Sequence, residues 1–128
     1  MTPLTRALLC SALVLPLTGA AQAPAEPPPT VTITLTSYQF TPSPIVLKAG
    51  QPVRLVFQNK AGKGHDFTAR QFFTASKLTA GKVTDGRISL GAGESATVDL
   101  IPTKGTYQAH CGKFMHSTMG MKTQISVQ

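Results

Sequence analysis

The chain has 128 residues, 41% of them hydrophobic and 13% charged, and its 12 Lys and Arg outnumber 5 Asp and Glu for a formal net charge of +7. The cations are scattered, with no aromatic interleaving and no helix-turn-helix pattern, which argues against a nucleic-acid-binding module. With only two cysteines, a disulfide-rich scaffold is excluded as well.

Arg6, an apolar run at 7–17 and small residues at 19–25 form the layout of a secretory signal peptide. The apolar run is too short to span a membrane. Cleavage after Ala21 satisfies the small-x-small rule, with Ala23 and Ala25 as alternatives. The expected division is a leader at 1–21, a Pro-rich, extended and disordered tether at 22–30, and one domain at 31–128. The product is then exported, with the periplasm as its expected location and no transmembrane segment once the leader is removed. Cys10 leaves with the leader. Loss of Arg6 leaves 11 basic against 5 acidic residues, a net of +6.

In chain order, Val31, Ile33 and Leu35 alternate with threonines, the signature of a half-buried strand, and segments 45–48, 53–58, 87–90 and 96–101 continue it. Turn signals at Ala49-Gly50, Ala61-Gly62, Asp85-Gly86, Gly91 to Gly93 and Lys104-Gly105 separate them. Only 67–79 is predicted to hold a short helix. Residues 122–128 read as an exit strand, with Thr123, Ile125 and Val127 on one face. Short strands at this rhythm predict an all-β, two-sheet antiparallel sandwich.

The segment GTYQAHCGKFMHSTMGM at 105–121 holds the one remaining cysteine, two of three histidines and every methionine but the first. Thiolate and thioether are soft donors and imidazole is borderline. Cys111, His116 and Met121, joined by His65 from upstream, are therefore a candidate His2Cys copper set with a long axial Met. Strand parity puts Ala109 and Cys111 on one face and His110 on the other, so His110 reads as solvent-facing or hydrogen-bonded and not as a ligand. Gly112 and Gly120 let the chain turn back. Met119 is the competing axial candidate, three residues after His116. Met115 and Met119 otherwise read as flexible apolar cover over the site. A lone exported cysteine cannot form an internal disulfide; metal ligation is the favoured account of Cys111, with a leftover buried thiol or transient pairing with another chain as the alternatives.

These residues resemble the cupredoxins, the small blue copper proteins, over 31–128. The specific part is G-T-Y-x3-C-x4-H-x4-M, carried by Gly105, Thr106, Tyr107, Cys111, His116 and Met121. Tyr38, Phe40, Pro42, then Leu47 to Gly50, then Leu55, Val56, Phe57 and Asn59 lead in the family's order to Gly64-His65-Asp66-Phe67. The resemblance implies a Greek-key sandwich with one short helix, and His65 as the first copper ligand. Two departures stand out. Asp66 occupies a position where relatives often carry an Asn whose amide ties the ligand loops together, and Phe114, Met115 and Met119 replace the usual Pro, Gly and polar residues.

The function so implied is a monomeric, non-enzymatic one-electron carrier with one copper ion cycling between Cu(I) and Cu(II). Its partners are redox proteins; the basic surface separately suits an acidic partner or an anionic membrane surface, or serves solubility alone. Copper trafficking or resistance is the alternative, since it uses the same donors but must release the ion. Three histidines are too few for the additional centres of a multicopper enzyme.

Overall fold

A computed structural model describes residues 19–128, so most of the expected leader lies outside the described residues. The strands in chain order are β1 (Thr30–Thr36), β2 (Gln39–Thr41), β3 (Ile45–Leu47), β4 (Val53–Asn59), β5 (His65–Thr68), β6 (Lys77–Ala80), β7 (Arg87–Leu90), β8 (Ser95–Ile101), β9 (Gly105–His110) and β10 (Lys122–Val127). The helix α1 (Arg70–Ala75) lies between β5 and β6. Among the described residues no helix is long and apolar enough to cross a membrane.

Among the described residues ten strands form two five-stranded sheets, ordered β2-β1-β4-β8-β6 and β3-β10-β9-β5-β7. The all-β sandwich is as expected, but the pairing is mixed. β1 runs parallel to β4, and β10 runs parallel to β3, because long connections bring these strands together instead of hairpins. Thr30, expected in the tether, already pairs with Arg54, and the Arg54 amide donates to Pro29 O at 2.9 Å.

Strand alternation builds the core. Ile33 and Leu35 of β1, Val53, Leu55 and Phe57 of β4, and Val98 and Leu100 of β8 are buried from one sheet. Ile45 and Leu47, Ala109, and Ile125 and Val127 face them from the other. Phe67 sits in the middle, its ring 5.3 Å from Phe40, 4.9 Å from Phe57 and 6.2 Å from Phe73.

The short helix falls inside the 67–79 segment expected to hold it. Phe67 and Thr68 belong to β5, and Lys77 to Thr79 belong to β6. Six residues cannot sustain a helix by propensity alone, and Ala69 offers no side-chain cap. Packing holds it through Phe72, which is buried against Phe73 and Tyr107 at 5.3 and 5.6 Å.

Truncating the central ring tests this core. Phe67→Ala removes an aromatic that touches three others and is expected to cost about 3–5 kcal/mol of stability, read as a shifted midpoint in urea unfolding.

Candidate metal centre

One end of the sandwich gathers the donor residues. β5 delivers His65, which pairs with Leu90 of β7, and β9 runs through His110 to Cys111 at its tip. The segment after Cys111 folds back through backbone bonds from His116 N to Lys113 O, Met121 N to His116 O and Cys111 N to Met121 O, all 3.0–3.1 Å. Gly120 takes φ 93°, a left-handed turn that a side chain would resist.

Cys111 Sγ then lies 3.8 Å from His65 Nδ1 and 3.4 Å from His116 Nδ1. The three donor atoms lie within 4.8 Å of one another. Two donors bound at 2.0–2.3 Å to one ion and 120° apart would be separated by about 3.7 Å, so the observed spacing accommodates a trigonal ion. Thiolate with two imidazoles is a donor chemistry suited to copper.

The surroundings orient these donors. Ser37 Oγ lies 2.9 Å from His65 Nε2, and an Nε2–H donating to it leaves the Nδ1 lone pair facing Cys111. Burial pushes the His65 imidazole below its usual pKa, the charges of His116 and Lys63 add to that, and Asp66 opposes it. A neutral imidazole is the form that binds metal. The backbone N–H of Asp66 points at Cys111 Sγ from 3.4 Å.

Asp66 itself is buried. Its Oδ1 accepts from Gly112 N and from Thr68 Oγ1, both at 2.7 Å, and so links β5 to the start of the loop that follows Cys111. A Cβ at Gly112 would meet both carboxylate oxygens at 3.3 Å, so the loop passes close because residue 112 is glycine. Asn59, also buried, donates to Lys63 O at 2.8 Å and Gly91 O at 2.9 Å, bracing the segment before His65.

Of the remaining candidates, Met121 is fully buried, while Met119 is 55% exposed. Met115 at 54% and Phe114 at 90% are exposed too, so the expected cover stands out in solvent and shields little. His110 is exposed on the opposite face from buried Cys111, as parity anticipates. Sequence reasoning gave no role to Ser37 or Lys63 and treated Tyr38 only as a sequence marker. The Tyr38 ring stands 5.0 Å from that of His116, and its hydroxyl lies 2.6 Å from Lys63 Nζ. No local pattern marks a serine or lysine that acts across 25 or more residues.

A family model described as a cupredoxin-like domain matches residues 9–127. Plastocyanin A/B of Petroselinum crispum is 32% identical over 88 residues, covering 69% of this chain and 86% of that protein. Reduced auracyanin from the photosynthetic bacterium Roseiflexus castenholzii shares the fold with a TM-score of 0.59 at 19% identity, over 77% of this chain and 96% of that one. A multicopper oxidase from Campylobacter jejuni does so with a TM-score of 0.61 at 15% identity, over 84% of this chain and 31% of the oxidase. The chain belongs to the cupredoxin family.

The Asp66 bridge gives a direct test. Asp66→Ala strands the Gly112 amide and the Thr68 hydroxyl and is expected to cost about 1–3 kcal/mol in chemical denaturation, whereas Asp66→Asn keeps an acceptor oxygen and costs less.

Proposed function

We propose that the protein is an exported electron carrier that holds one copper ion through His65 Nδ1, Cys111 Sγ and His116 Nδ1, with Met121 as the weak axial donor. The observation that carries this reading is the cluster of one sulfur and two imidazole nitrogens within 4.8 Å at the end of a rigid sandwich. The plastocyanin relative supports the same function.

Copper, when bound, supplies a one-electron couple. The chain's own residues do the rest. Cys111 binds as thiolate, giving up its proton. Ser37 and Asp66 N–H hold the His65 ring and the sulfur from outside, so the donors keep their places when the charge between them changes. Met121 is preferred over Met119 because its side chain is fully buried and its carbonyl accepts from Cys111 N.

His116 is partly exposed beside Phe114, Met115 and Met119, which makes this face the exit for electrons. Lys63 and Lys113 are exposed nearby, and a redox partner with an acidic rim complements them. The multicopper oxidase shares the fold only, and three histidines in this chain are too few for its further copper centres.

Cu(II) titration is expected to saturate at one equivalent with an intense thiolate-to-copper absorption that Cys111→Ser abolishes. A colourless complex, or colour that survives that substitution, overturns the reading. Met121→Leu is expected to raise the reduction potential and alter the paramagnetic resonance spectrum, because a weak donor to Cu(II) is lost. If Met119 supplied the axial sulfur, those changes would follow Met119→Leu instead.

A further inference from the structure

The loop at 112–120 holds two thioethers in solvent next to the buried donors. Met115 is 54% and Met119 55% exposed, and the Met119 amide donates to Met115 O at 3.0 Å, so a tight turn brings the two positions together with His116 between them. The turn closes the backbone between them, and the three rotatable bonds of methionine let the sulfurs converge on one ion.

Packing does not account for this pair, since both side chains are mostly in water. Apolar docking accounts for Phe114, but leucine would supply the same apolar contact without sulfur. Met115 also holds φ 59°, in the left-handed region. Gly120 of the same loop meets a similar demand without a side chain, so a methionine at 115 persists against local backbone preference. Such an outlier at the edge of a site points to a task for its side chain.

We propose that Met115 and Met119, with His116 Nε2 as a third donor while the buried cluster is empty, form a surface capture site for Cu(I) that passes the ion inward. The inference rests on the copper reading of the buried cluster. Neutral thioethers select Cu(I) over harder cations. His116 belongs to both sites, since its Nδ1 faces Cys111 Sγ at 3.4 Å. Transfer is ligand exchange: the two thioethers and His116 Nε2 are replaced by Cys111 Sγ, His65 Nδ1 and His116 Nδ1, and the His116 ring gives up its Nδ1 proton to solvent and takes one at Nε2. The ion stays Cu(I), no electron moves, and the thiol proton of Cys111 leaves to solvent as the sulfur binds.

The test is anaerobic titration with Cu(I) supplied as its bicinchoninate complex, following the methionine methyl resonances of Cys111→Ala. The Met115 and Met119 methyls are expected to shift together with one affinity, which Met115→Leu combined with Met119→Leu weakens at least about tenfold. Movement of the Met121 methyl alone, or unchanged affinity in the double leucine variant, overturns the proposal. A second measurement needs no change at Cys111. The rate at which the metal-free native chain strips Cu(I) from bicinchoninate is expected to fall about tenfold in the double leucine variant, with final stoichiometry still one. Equal rates overturn the proposal. Absence of thiolate absorption in the Cu(II)-treated native protein would instead overturn the electron-carrier reading and leave the methyl shifts standing.

Discussion

The bond from Cys111 N to Met121 O, 3.1 Å long, closes the loop on which the whole site depends. It extends the β9–β10 ladder one step beyond the Lys122–His110 pair, so the register of two strands decides where the thiol and the buried thioether sit. A slip of one residue would turn Cys111 to the surface and bring His110 inward. The slip is resisted by Ala109, Thr123, Ile125 and Val127, all buried through the same register. Core packing and donor placement are therefore one constraint and not two.

The carboxylate of Asp66 adds a second tie at the same place. A bridge between β5 and the loop needs an acceptor facing the Gly112 amide, and an Asp oxygen meets that need as well as an Asn oxygen would. The contact to sulfur comes from the backbone N–H of residue 66, which every non-proline residue possesses. The departure from the family's habitual amide thus keeps the tie between β5 and the loop and places a buried carboxyl at the Gly112 amide.

Much of this was legible in the sequence where burial is one-sided. β7 matches its predicted bounds, and β4, β8 and β10 fall within one residue of theirs, because alternating side chains meet core and water. β5 was not, because His65 to Thr68 are buried on both faces and leave no alternation to read. β6 was missed for the opposite reason, all four residues being exposed. The cysteine, histidine and methionine cluster was conspicuous by donor type and spacing. Ser37 was not, since its meeting with His65 depends on how β1 ends, 28 positions away. The exposure of Met115 and Met119 was equally hidden, as composition alone cannot separate cover from rim.

β1 has one more consequence. It leaves the proline run at Thr30 and ends at Thr36, with Ser37 against His65, so its seven residues span about 23 Å from one pole of the sandwich to the other. The N-terminal segment and the donor cluster therefore occupy opposite poles. Whatever holds the chain by residues 22–29 leaves its chemical face turned outward, free to meet a second protein without obstruction from the attachment.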